Sequence, residues 1–203
     1  MKIPIFISSP TSLNDDQKKS RQIVLQQLAL YGLEERRLGQ SDYPTELPLR
    51  EVLVIAKHCA GGVILGFEQI HVTKGLLKPG TDAEKDISET ISIPTPWNNL
   101  EAGILFALQL PLLIFKEKGV SGGVFDNGVT DVFVHNLPKS NMTTEEEESL
   151  RAVFLKWQAK VRQHYYAWAT ELAIMTVQTQ VSILKVLANA TKETGNGLNQ
   201  QVV

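Results

Sequence analysis

Pro94-Thr95-Pro96-Trp97-Asn98-Asn99-Leu100-Glu101-Ala102-Gly103-Ile104-Leu105-Phe106-Ala107-Leu108 runs into Leu110-Pro111-Leu112-Leu113-Ile114-Phe115, a helix pattern followed at once by a short apolar strand. Pro96 favours a helix entrance, so Leu100, Ile104, Ala107 and Leu108 predict the buried face of a helix beginning near Trp97. Glu101 then falls in the first turn, where unpaired amides and the helix dipole favour a carboxylate and keep it ionised. Charge compensation alone accounts for an acid at such a position. Trp97, Asn98 and Asn99 add an aromatic face and two amides, a set suited to stacking on a base and hydrogen-bonding a sugar.

On both sides of this stretch, strand and helix patterns alternate, which predicts an α/β fold with a parallel, mostly five-stranded flavodoxin-like sheet and flanking helices. Ile3 to Ser8 reads as the first strand. Asn14 or Asp15 caps a helix that buries Ile23, Val24, Leu28 and Leu30 and ends at Gly32. A short strand covers Leu33 to Leu38, and Gly39 to Glu46 is a turn-rich link. Pro48 opens a second helix through Val52, Leu53, Ile55 and Ala56, which Gly61-Gly62 breaks. The continuous run Val63 to Phe67 fits a central parallel strand, and Leu112 to Phe115 another. Asp131 to His135 reads as the last strand.

Between Glu68 and Thr95 lies a polar stretch, read either as a lid or as a plain surface insertion. His71 within it reads as solvated rather than metal-binding, and no metal site is expected. Gly119, Gly122 and Gly123 fit a turn between strands; their spacing matches neither a P-loop nor a dinucleotide fingerprint. Lys116 and Lys118, just past a strand's carboxyl end, read either as phosphate partners or as solvated lysines.

After Asn136 the composition changes. Thr143 and Thr144 precede Glu146 and Glu147 at capping-box spacing, and Leu150, Phe154, Trp157, Val161, Tyr165, Trp168, Leu172 and Met175 form one apolar stripe. That stripe can cover the sheet, pair with a second helix from Val177 to Ala190, or pair with another subunit; its length points to a homo-oligomer. The domain reading is residues 1–138 α/β, 139–193 a helical extension, and 194–203 a flexible tail.

The 203 residues, 43% hydrophobic, can bury one sizeable core. A net charge of -2 and a pI near 6.1 give no global reason to expect nucleic acid or an anionic membrane as partner. With no apolar run of about 20 residues and no basic leader, the sequence reads as cytoplasmic. Cys59, the sole cysteine, excludes an internal disulfide and reads as a buried structural thiol.

The Trp97-x-x-x-Glu101 pattern and the apolar strand after it resemble the catalytic segment of TIR-type NAD hydrolases. Glu101-Ala102-Gly103 also resembles the nucleoside 2-deoxyribosyltransferases, in which a Glu followed by a small residue and Gly attacks the sugar carbon. Ile3-Pro4-Ile5-Phe6-Ile7-Ser8-Ser9-Pro10 resembles the first strand and substrate loop of both groups, and the likeness spans roughly residues 3 to 135. There are departures: Asn98 stands where the TIR enzymes commonly have Cys, and Asn98-Asn99 where the transferases usually have Gly-Thr. The resemblance implies Glu101 as nucleophile or ion-stabilising carboxylate. It further implies Trp97 at the base or sugar, Asn98 and Asn99 on ribose hydroxyls, and Ser8 and Ser9 positioning sugar or phosphate.

In a parallel sheet Ser8, Ser9 and Pro10, then Gly66 and Phe67, then the start of the Glu101 helix all open onto one crevice. Asp15, Glu68 and Asp126 are candidate second acids, and Asp126 joins the expected substrate-binding set. A cationic leaving group such as nicotinamide lessens the need for one, which favours NAD as substrate with no cofactor. Two function classes follow. One is a nucleotide N-glycosidase, which the TIR resemblance links to antiviral defence and a partner protein of a defence system. The other is a sensor or adaptor that binds a nucleotide in the same crevice without turnover.

Overall fold

The computed structural model describes residues 2–37 and 47–198, with the side chains at 168, 169, 171–173 and 186–198 outside the description. In chain order come β1 (Ile3–Ser8), α1 (Asp15–Leu30), β2 (Leu33–Arg36), α2 (Pro48–Lys57) and β3 (Gly62–Gly66). Four short strands follow: β4 (Ile70–Val72), β5 (Leu76–Leu77), β6 (Lys85–Asp86) and β7 (Ile91–Ile93). Then come α3 (Pro96–Ala107), β8 (Leu112–Lys116), a 3-10 turn (Gly123–Phe125), β9 (Val134–Asn136) and α4 (Thr144–Leu198).

The central sheet has five parallel strands, as the alternating pattern predicts, and their order is β2-β1-β3-β8-β9. From β1 the chain steps outward to β2, then reverses across β1 to β3. Right-handed crossovers of opposite direction put α1 and α2 on opposite faces, and the reversal opens a crevice at the carboxyl ends of β1 and β3.

Side-chain alternation along the strands divides the core. Phe6, Ile64 and Ile114 join Val52, Ile55, Ala102 and Leu105 in one buried cluster with α2 and α3. The neighbouring Phe115 points the other way and stacks on Phe154 of α4, with centroids 5.9 Å apart. Trp157 meets Phe154 edge-on and its indole N–H donates to the Pro111 carbonyl at 3.0 Å, so its polar edge is satisfied inside an apolar contact.

Helix starts follow the local chemistry. Asn14 caps α1 through a reciprocal box with Gln17, and Thr143 and Glu146 form the same exchange ahead of α4. Other expectations are corrected. Leu30 is 74% exposed, and α1 buries Gln17, Val24 and Leu28 instead. The last strand is Val134–Asn136 rather than Asp131 to His135, because its register is set by pairing Ile114 with Val134. The link Gly39 to Glu46 and Leu38 lie outside the described residues.

The Glu68–Thr95 insertion has structure of its own. β4 pairs antiparallel with β7, and β5 with β6. Its base is tied to the end of β3: Gln69 N–H donates to the Ile93 carbonyl at 3.0 Å, and the Ser92 hydroxyl donates to the Glu68 carboxylate. His71 is not simply solvated; its Nδ1 lies 3.2 Å from both Glu68 oxygens. Amide exchange at β4 and β7 is therefore expected to be slower than in the Lys78–Glu84 turn. Equal, rapid exchange across residues 68–95 by mass spectrometry would contradict that anchoring.

By internal contacts the chain divides into two compact units, Met1–His164 and Tyr165–Val203. The boundary falls later than residue 138 because Leu150, Phe154, Trp157 and Val161 are buried within the first unit. In the second unit α4 continues without a break through Val177, so the expected second helix is the same helix. It also runs through Leu198, inside the segment expected to be a flexible tail; residues 199–203 lie outside the description. Trp168 and Leu172 of the stripe lie among the undescribed side chains, and Met175 is exposed. Along this part of α4 the hydroxyls of Thr170, Thr179 and Ser182 donate to carbonyls four residues back.

Candidate functional site

Thr95 caps α3 and Pro96 occupies its first position, so Glu101 lies in the second turn rather than the first. The helix is also rotated from the expected setting. Asn98, Ala102 and Leu105 face inward, while Leu100 is 43% exposed and Ala107 faces outward. This rotation carries Asn98 and Glu101, one turn apart, toward the carboxyl end of β1.

There the Asn98 side-chain amide donates to Ser8 Oγ at 2.7 Å, and Ser8 hydrogen-bonds the Glu101 carboxyl. With the Ser8 oxygen occupied as acceptor, its hydroxyl proton is directed at Glu101. Asn98 is 0% exposed, and its Oδ1 has no partner. An unpaired buried carbonyl is costly, and this one is closed off from solvent.

Burial raises the Glu101 carboxyl from 4.5 to about 7, against opposing pulls from the Ser8 hydrogen bond and the Arg37 charge. The expectation that a helix terminus keeps Glu101 ionised is thereby corrected: desolvation outweighs both favourable interactions. Arg37, just past β2, is buried, and its guanidinium donates to the Ser9 and Pro10 carbonyls at 2.7 and 2.8 Å. It fixes the loop after β1 and places a cation near Glu101. Arg37 is a residue that sequence reasoning missed; its signal was a basic side chain at the end of the strand bordering the switch point.

Of the expected site residues, Ser8, Ser9, Pro10, Asn98 and Glu101 are brought together. Trp97 is 42% exposed on the outer side of the first turn of α3, available for stacking. Phe67 is fully buried beside the end of β3 and serves the core. Asn99 is engaged elsewhere: its Oδ1 accepts from Val124 N–H at 2.9 Å. Gly123, at φ +60°, lets the loop approach that amide so closely that any Cβ would collide with it. Asp126 accepts from Gly122 N–H at 2.9 Å and closes its own loop.

The candidate second acids are similarly committed. Asp15 pairs with Lys18 at 3.0 Å, and Glu68 is held well below the usual carboxylate range by its bonds to Ser92 and His71. Glu117, which the sequence reading did not single out, accepts from Gln17 at 2.9 Å and from Glu68 N–H at 2.6 Å, joining α1, β3 and β8. Lys116 donates to the Phe125 carbonyl at 3.0 Å. A cleft of ≈ 1040 Å³ opens in the first unit, but its lining does not include Glu101.

Among the described residues no group of three or more His, Cys, Asp or Glu is placed to hold a metal, and no helix is long and apolar enough to cross a membrane. No protein-family model matches the chain, and no curated protein matches it. Among solved structures it is similar to the metal-soaked Flv1 flavodiiron core from Synechocystis sp. PCC6803, at a TM-score of 0.46 and 10% identity. The match covers 80% of this chain and 36% of that one, so this chain spans about a third of the length of that protein.

Proposed function

We infer that the protein is a nucleotide N-glycosidase that cleaves the base–sugar bond of NAD or a related nucleotide, with Glu101 as the catalytic carboxylate. The observation that carries this reading is one partly exposed carboxyl at the β1/β3 switch point, bonded to Ser8 and pushed up to about 7. Cleavage of the bond develops positive charge on the sugar, and a carboxylate beneath the ring stabilises it or captures it. The approach of a cationic nicotinamide riboside group favours the ionised form of Glu101 at neutral pH, so the ground-state cost of the buried charge is relieved as the transition state forms. Trp97, 42% exposed, supplies the surface for the base.

The test is release of free base from NAD, NADP, nucleosides and deoxynucleotides, measured by chromatography at high protein concentration. Wild type is expected to release base from one of them, and Glu101→Gln to lose at least roughly 100-fold. Since the ionised form is the active one, kcat/KM is expected to rise with pH through about 7 and then level. A rate that falls above that point would assign Glu101 as a proton donor instead.

The second reading is a nucleotide-binding sensor. Asn99, expected on the sugar, and Asp126, expected in the substrate-binding set, instead accept from the backbone N–H groups of Val124 and Gly122, which leaves fewer groups to grip ribose. Tight binding of NAD or AMP by calorimetry without base release would select this reading.

Assembly through α4 belongs to the same proposal, as does a cytoplasmic role in antiviral defence with a partner protein. Ile174, Val177, Val181 and Leu184 are exposed at alternating steps of three and four, the seam spacing of a coiled coil that a second copy matches. Light scattering at tens of micromolar is expected to give a multimer mass; a monomer would remove this part.

A further inference from the structure

We propose that the ≈ 1040 Å³ cleft between α1, the ends of β8 and β9, and the start of α4 is a second ligand site, taking a phosphomonoester. It lies at the carboxyl edge of the sheet, as ligand sites of open α/β folds do, but two strands away from the Glu101 crevice. Register fixes its floor: Phe115 pairs with His135 and Lys116 with Asn136, so the loops carrying Lys118 and Lys139 leave adjacent strand ends. The Ser20 hydroxyl donates to the Pro138 carbonyl at 2.5 Å and ties α1 to the second of these loops.

Charge accounting selects the ligand class. Of the carboxylates lining the cleft, Asp16 is neutralised by Lys19 at 3.0 Å, whereas Glu117, with Gln17 and Glu68 N–H, and Glu146, with Thr143 N–H at 2.8 Å, accept from neutral donors and keep their charge. The Lys116 ammonium is bound to the Phe125 carbonyl. Lys118 and Lys139 are exposed and have no ion pair among the described residues, so with Lys116 three ammonium groups stand against the two carboxylates of Glu117 and Glu146, a net positive lining with two ammonium groups placed to bind a phosphate. His135 is half-buried against Phe115, with centroids 5.7 Å apart, and burial holds its imidazole below the ordinary value. A neutral ring at neutral pH offers one donor and one acceptor without repelling a partner.

The volume is at the upper end of the range for small-molecule sites and far exceeds a bare phosphate ion. Leu137, Leu150 and Val153 form an apolar wall for the rest of the molecule. The ligand is therefore a phosphate carried on an organic body rather than inorganic phosphate.

The imidazole signal of His135, assigned by its loss in His135→Gln, reports on the site in the full chain by NMR. Ribose 5-phosphate and AMP are expected to shift it saturably and to raise its pKa, with affinity at least roughly 10-fold weaker in Lys118→Gln/Lys139→Gln and unchanged in Glu101→Gln. Both lysines are exposed, so the double variant is expected to fold. Three results would overturn the proposal: silence of His135 with both compounds up to roughly 10 mM, affinity that survives the double lysine variant, or inorganic phosphate binding as tightly as either ester.

Discussion

Glu101→Gln is expected to raise the unfolding midpoint at pH 8 and to leave it nearly unchanged at pH 4. The native carboxyl titrates at about 7 against an ordinary 4.5, so the folded state holds its proton more tightly than the unfolded chain does. That advantage is fully present below 4.5 and is lost as pH rises from 4.5 to about 7. Above 7 the folded protein bears a desolvated charge that costs about 3 kcal/mol relative to the protonated form. A glutamine fills the same space, accepts from the Ser8 hydroxyl and carries no charge. The variant therefore gains about 2–3 kcal/mol at pH 8, or roughly 5–10 °C for a chain of this size. A gain of equal size at pH 4 and pH 8 would mean that packing, and not the charge, is responsible. No gain at pH 8 would mean that the carboxylate is adequately solvated in the native state. A stability gain together with a loss of base release is the expected signature of a group retained for chemistry at the expense of the fold.

The same residue explains why the sheet was easier to read than the site. The strands Ile3–Ser8, Gly62–Gly66 and Leu112–Lys116 are nearly continuous apolar runs, because each is covered on both faces, and such runs are visible locally. The caps at Asn14 and Thr143 were equally legible, since a cap is a contact across three residues. The setting of α3 was not. Hydrophobic periodicity assigned Leu100 and Ala107 to the inside, whereas the fold turns Asn98 and Glu101 inward and leaves Leu100 and Phe106 about half exposed. A helix that buries polar side chains violates the pattern on which the reading rests, and functional positions are where such violations are expected. Arg37 and Glu117 escaped for another reason. Arg37 reaches 27 residues back along the chain, to the Pro10 carbonyl, and Glu117 reaches 100 residues back to Gln17, partners that only the strand order brings together. In α4, the segment Leu172 to Val177 contains neither Gly nor Pro, so a drift in the apolar stripe was misread as a break.

Gly66→Ala is expected to be among the most destabilising single changes in the first unit, because it strikes the contact that joins the central strand to the loop beside α3. A methyl group at Gly66 would lie 2.8 Å from both Cδ1 and Cζ of Phe125 and nearer still to the Cε1 between them. Phe125 is fully buried and cannot swing into solvent. Its loop is held from three sides: Lys116 donates to the Phe125 carbonyl, Val124 N–H donates to Asn99, and Asp126 accepts from Gly122 N–H. The strand is no freer, since the Gly66 carbonyl accepts from Glu117 N–H at 2.9 Å. Neither side can yield cheaply, so the cost is expected at about 2–4 kcal/mol, read as a lower midpoint in urea with an unchanged slope. Asn99 adjoins Asn98 on α3, so any shift of the loop pulls on the helix that carries Glu101, and base release is expected to fall with stability. Phe125→Ala alone removes a buried ring and costs about 3–5 kcal/mol. If the collision is the cause, the double variant Gly66→Ala/Phe125→Ala is less destabilised than the two single losses combined, by at least about 1 kcal/mol, since the methyl enters the space the ring leaves. Strict additivity would show that Gly66 is required for a reason other than the close approach of Phe125.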